Sequence, residues 1–186
     1  MAGNSNFKKW GIIGGSIAGG AALISLIPTL KRRAMRVTTI LTKDHRVVSG
    51  LITTLQMTPR VNGMFRKRLF DQIRNMVMIH AMAEEEILYP AMRNLMFMHG
   101  ASRVDESYYE HQQIKDLLNE MAGMDTTSEA FDWRFQDFKN KIVRHVEEAE
   151  EIMFPIVRER MSTERQEDLG QKIHDRKMQL GARMAA

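Results

Sequence analysis

The stretch His80-Ala81-Met82-Ala83-Glu84-Glu85-Glu86-Ile87-Leu88-Tyr89-Pro90 returns in diverged form as His145-Val146-Glu147-Glu148-Ala149-Glu150-Glu151-Ile152-Met153-Phe154-Pro155. Each copy runs from a histidine to a carboxylate cluster about one helical turn later, then to an apolar pair and a proline. Residues three and four apart share a helix face, so each copy can aim a histidine and a glutamate at one point. Two further histidines, His45 and His111, precede the copies at matching distances.

Working outward, the match extends well beyond the acidic motifs. His45, Val48, Leu51, Ile52 and Leu55 pair with His111, Ile114, Leu117, Leu118 and Met121. Phe70, Ile73, Val77 and His80 pair with Phe135, Phe138, Ile142 and His145, and the offset stays at 65 or 66 residues. Apolar spacing of three to four predicts amphipathic helices on both sides of the turn at Pro59 to Gly63, and again on both sides of Asp125 to Ser128. The expected fold is all-α: two repeated helical hairpins packed as an up-down four-helix bundle with an interior site. Pro90 and Pro155 should bend their helices or thin the hydrogen bonding there.

Flanking segments complete the predicted layout. Trp10 to Leu30 carries no charge, and Lys31, Arg32, Arg33 and Arg36 follow it. Such a run is long enough to cross a hydrocarbon core of roughly 30 Å, with Trp10 at an interface. Residues 1–33 are therefore expected to be a transmembrane anchor with a basic flank. The positive charge places the following bundle on the cytoplasmic side of a cell membrane. The glycines of the anchor leave small faces on which a second copy can pack, giving a homodimer. Residues 34–162 form the bundle, and 163–186 a short, charged C-terminal helical tail.

Composition narrows the chemistry. The 186 residues include no cysteine, which removes thiolate metal sites, iron–sulfur clusters and cysteine nucleophiles. Any metal must be held by His, Asp, Glu or solvent, which favours iron, manganese or zinc. A net charge of +4, without a basic stripe or interleaved aromatics, gives no nucleic-acid footprint. Sixteen methionines read as adaptable core packing.

A single histidine on an apolar face is more often a hydrogen-bonded core residue than a ligand. Four in duplicated inward positions, with Glu84 on the face of His80, are costly to bury without a cation. Glu85, Glu86, Glu147 and Glu151 read as solvated faces, and His99 and His174 as surface residues. Asp44 and Glu110 either orient neighbouring imidazoles or lie on the surface, since an ideal helix turns them about 100° off the histidine face. Tyr89 and Tyr108 border the site, Tyr108 as a core residue before any role as a relay.

The combination of Asp44-His45, His80 with Glu84-Glu85 before Tyr89-Pro90, Glu110-His111, and His145 before Phe154-Pro155 resembles the hemerythrin-like (HHE) cation-binding family. The resemblance covers roughly residues 38–160. It implies a non-haem di-iron centre with carboxylate and oxo or hydroxo bridges, held by His45, His80, Glu84, His111, His145 and a second carboxylate. At the position matching Glu84 this chain has Ala149. Glu148 ranks first as the substitute by helical angle, and Glu150 second, through a local bulge. The implied function is a membrane-anchored protein that binds or reacts with O2, peroxide or NO, in sensing, scavenging or redox and iron handling. The alternatives are reversible iron storage or delivery without turnover, and a metal-free helical adaptor.

Overall fold

A computed structural model of the chain describes residues 33–95 and 100–185. Helix α1 (Val37–Met57) and α2 (Gly63–Ala83) form the first hairpin. A π-helical turn, π1 (Glu84–Leu88), continues α2 into the short α3 (Tyr89–Arg93). The second hairpin repeats this order as α4 (Gly100–Ala122), α5 (Glu129–Glu148), π2 (Ala149–Met153) and α6 (Phe154–Arg160). The long α7 (Thr163–Ala185) closes the chain.

The boundaries follow from local chemistry. Thr58, directly before Pro59, takes an extended conformation and ends α1. Ser128 caps α5 by accepting the Phe131 N–H at 3.1 Å, and Glu129 and Asp132 sit in its first turn. Pro90 and Pro155 explain the π turns. A proline lacks the N–H for an α-type bond and its ring crowds the carbonyl four residues back. The turn before it widens instead, and Tyr89 and Phe154 donate to Glu84 and Ala149, five residues earlier.

The buried residues form two apolar clusters. The one nearer the hairpin tips holds Ile52, Leu55, Phe70, Ile73, Leu118, Phe131 and Phe138. The other holds Val37, Leu41, Leu88, Met92, Val104, Phe154, Val157, Leu169 and Ile173. Along each long helix of the repeat, the step from one cluster to the other passes through a buried histidine: His45, His80, His111 and His145. The bundle therefore carries one polar layer between two greasy ones.

Two expectations are corrected. No helix among the described residues is long and apolar enough to cross a membrane. That overturns the single-pass architecture and the placement at a cell membrane with the bundle facing the cytoplasm. The stretch 10–30 that carried both readings, with its glycine-based dimer, lies outside the described residues, as does His99. The C-terminal segment is also no short tail. It is a helix of 23 residues whose Leu169, Ile173 and Leu180 are buried. Gly170 lets it approach α1: a Cβ there would lie 1.8 Å from the Met35 carbonyl oxygen.

Candidate metal centre

The histidine layer is built from one residue per long helix. His45 Nε2 lies 3.3 Å from His80 Nε2, and His111 Nε2 lies 3.3 Å from His145 Nε2. Glu84 sits among them, 1% exposed, with Oε2 3.3 Å from His80 Nε2, 3.4 Å from His111 Nε2 and 3.8 Å from His145 Nε2. Two donor groups, His45–His80–His145 and Glu84–His111–His145, each bring their ligand atoms within 4.8 Å of one another.

The opposite edge of every ring faces a carboxylate. His80 Nδ1 lies 3.1 Å from Asp44, and His45 Nδ1 lies 2.8 Å from Glu150. In the second half, His111 Nδ1 lies 3.0 Å from Glu85 and His145 Nδ1 3.7 Å from Glu110. The repeat maps Asp44 onto Glu110 and Glu85 onto Glu150, so the pattern is two-fold. Asp44 and Glu110 reach the histidine of the partner helix in their own hairpin, which is why their angle to the adjacent His45 and His111 was no guide. Glu85 is half-buried and belongs to the site, contrary to its reading as a solvated face.

The two halves differ in one respect. Tyr89 stacks on His111, its hydroxyl 3.1 Å from His111 Nε2 and 3.4 Å from Glu84 Oε2. In the other half Phe154 stacks on His45 and Ala149 stands where Glu84 would be. At these two positions one half of the layer is polar and its counterpart apolar. Of the two carboxylates expected to compensate, Glu150 reaches the histidine layer. Glu148 lies in a surface groove beside Glu106 and Glu110 and pairs with Arg103 at 3.5 Å. Being three residues after His145 sets it about 60° to one side, enough to turn it toward α4.

A match to the family model of the hemerythrin HHE cation binding domain spans residues 36–157. The chain belongs to this family. A crystal structure of a hemerythrin HHE cation binding domain-containing protein from Mycobacterium kansasii superposes with a TM-score of 0.66 at 26% identity, covering 78% of this chain and 86% of that one. A Nostoc protein named DNA nickase is 26% identical over 177 residues, which are 94% of this chain and 49% of that protein. An uncharacterized hemerythrin-like protein of Schizosaccharomyces pombe is 22% identical over 85 residues, 46% of this chain and 42% of that protein. The chain thus spans about half or less of the length of the curated relatives it matches.

The donors of this hemerythrin-like layer fit a cation. A metal-bound imidazole must be neutral at the ligating nitrogen, and a carboxylate on the other nitrogen fixes that tautomer and orientation. All four rings have that partner. Glu110 Oε2 is buried without a hydrogen bond, 3.7 Å from His145, so this carboxylate has capacity to tighten on its ring. HHE domains bind metal cations, and the histidine–glutamate clusters here can hold one. Beside the layer is a cavity of about 20 Å³, room for one water-sized occupant, walled by Val48, Val77, Ile114, Ile142 and Val146.

Without a metal the same groups titrate against one another. Burial pulls His80 down, but Glu84 and Asp44 outweigh it and raise its pKa to about 9. Burial takes His145 to about 4, with Glu110 offsetting only part. Burial would raise Glu84, yet His80 and His111 hold it well below the usual carboxylate range. His80 therefore stabilises the fold fully below pH 6.5, and that contribution is lost as pH rises through 9. His145 acts oppositely: below 6.5 the unfolded chain takes up a proton that the native state refuses until about 4. The metal-free protein should be most stable near pH 6.5, each histidine giving its arm a slope approaching about 1.4 kcal/mol per pH unit. Urea midpoints between pH 4.5 and 9 check this, and a flat profile contradicts it.

Proposed function

We propose that the histidine layer holds a pair of iron ions and that the protein uses them to bind or react with O2, peroxide or NO. The observation that carries this reading is the convergence of three Nε2 atoms on Glu84, with the fourth, that of His45, 3.3 Å from His80 Nε2, and a carboxylate behind every ring. Nitrogen and oxygen donors without thiolate suit iron better than softer ions. In this reading His45, His80, His111, His145 and Glu84 would hold the irons. Glu150, the one of the two candidates that borders the histidines, lies behind the His45 ring at 2.8 Å from Nδ1 and would turn from that ring to serve as the second carboxylate. Its side chain is 27% exposed, which leaves it freer to turn than Glu84 at 1%. Iron in such a site supplies electrons to a small oxidant or a coordination position for NO. The chain's contribution is to hold the imidazoles aimed with Nε2 inward, and to offer an apolar pocket for one small guest.

The test is metal content of the full chain, expressed with iron and purified without chelator. About two irons per chain, with consumption of added peroxide, support the reading in full. Two irons without consumption leave storage or delivery. A well-folded helical protein that takes up no metal removes both and leaves the helical adaptor.

One comparison favours a second reading. The likeness to the Nostoc DNA nickase runs over 94% of this chain. A cation between histidines and carboxylates is suited to assisting phosphodiester cleavage. Conversion of supercoiled plasmid to open circle by the Mn2+-loaded protein, lost on His80→Ala, would move the assignment there. Intact plasmid would dismiss it.

A further inference from the structure

Each carboxylate that orients an imidazole needs its own second charge balanced, and three of the four are met by a cation. Glu85 takes Lys115 at 2.6 Å and Glu110 takes Arg144 at 3.1 Å, both from helices of the repeat. Asp44 is different: its cation is Lys177, which lies outside the repeat on α7. Lys177 Nζ is 2.5 Å from both carboxylate oxygens of Asp44, and Oδ2 is the atom that faces His80 Nδ1. Lys177 shares the face of α7 that carries Gly170, Ile173 and Leu180, so docking of the helix and placement of the ammonium are one event.

We infer that α7 is a clamp on the metal centre: Lys177 is a positioning residue that locks Asp44, and through Asp44 the ring of His80. With both oxygens held, the carboxylate plane cannot rotate, and His80 Nε2 stays aimed at His45 and Glu84. Without the ammonium, Asp44 is a buried anion with one partner. It can turn toward solvent, and the His80 ring loses its stop. Linkage makes the effect reciprocal: whatever α7 contributes to cation affinity, the bound cation returns as tighter docking of α7. The inference rests on the histidine layer being a metal site.

The experiment uses the full chain and Co2+ alone, followed by its visible ligand-field bands, with amide hydrogen exchange read on α7. Lys177→Met should weaken Co2+ binding about 10-fold, the lower end for residues that orient ligands, and shift the bands. Lys177→Arg should restore both. Arg176→Met breaks the neighbouring ion pair with Glu86, which touches no histidine, and should leave both unchanged. Co2+ should slow exchange along α7 in the wild type and in Lys177→Arg, but not in Lys177→Met. Asp44→Asn keeps an acceptor for His80 yet drops the charge, and should lose the same slowing. Co2+ affinity and bands unchanged in Lys177→Met, or wild-type α7 exchange indifferent to Co2+, overturns the clamp while leaving the metal site standing. A wild type that binds no Co2+ removes the clamp and the metal reading together.

Discussion

Glutamine in place of Glu84 should remove stoichiometric metal binding while moving the stability of the metal-free protein only modestly. Glu84 is the one carboxylate inside the ring of Nε2 atoms, within 3.8 Å of three of them. An amide of the same shape cannot bridge cations or balance their charge, so affinity should fall at least 100-fold, the upper end for loss of a supporting residue. Removing one partner of a buried ion pair usually costs about 3–5 kcal/mol, because the other charge is stranded. Here the partner left behind is His80, which keeps Asp44 at 3.1 Å and, unlike a guanidinium, also has a neutral form, so it is not stranded. The penalty should therefore stay near about 1–2 kcal/mol, the worth of one charged hydrogen bond. Metal analysis and urea unfolding on one preparation measure both halves. Retained metal would show that the histidines alone suffice. A loss above about 3 kcal/mol, the scale of a stranded buried charge, would show that the carboxylate serves the fold.

Arg66 should behave in the opposite way. Its guanidinium is 2% exposed at the far end of the bundle and has no neutral form to fall back on. It donates to the carbonyls of Thr58 and Thr126 at 2.7 Å and of Leu55 at 3.3 Å, pairs with Asp132, and lies over the Phe131 ring. Those partners come from α1, the α4–α5 turn and α5, so one side chain ties both hairpin tips together. Methionine fills the volume but leaves the carbonyls of Thr58 and Thr126 without the guanidinium, while that of Leu55 keeps the Thr58 N–H at 3.1 Å. Arg66→Met should cost about 3–5 kcal/mol, read as a lower urea midpoint at unchanged slope. Lys67→Met, which loses only the exposed pair with Asp71, should stay within about 0.5 kcal/mol. A cost below about 1 kcal/mol for Arg66→Met would mean that water replaces the guanidinium at the tip.

The repeat carried most of what the sequence discloses. Apolar positions three and four apart, doubled at an offset of 65 or 66, fix four helices and place four histidines on their inner faces. Family membership follows from the same positions. What stayed hidden depends on contacts between distant segments. Glu85 sits five residues after His80, which on a straight helix is the wrong face, and it pairs with His111 of another helix. Glu150, in the matching position after His145, comes within reach only through a local bulge, and π turns at Glu84 and Ala149 are the departure from a straight helix at just those positions. Arg66 reads as one more surface cation in a basic run. Leu169, Ile173 and Leu180 are too sparse among charges to announce a buried face, so α7 looks like a tail. Its Gly170 looks like a helix weakness until the Met35 carbonyl is seen against it.

The polar layer has a consequence for cooperativity. Cores usually melt as one unit because apolar contacts run through them without a break. Here a tier of imidazoles and carboxylates interrupts that continuity. The tip cluster keeps both hairpin turns and Arg66, whereas the other cluster depends on α7 for Leu169 and Ile173. A cation in the tier should join the two into one folding unit, and without it they should open as foldons of unequal strength, the one containing α7 first. Calorimetry should show a van't Hoff enthalpy below the calorimetric one for the metal-free protein, and equal values once the layer is filled.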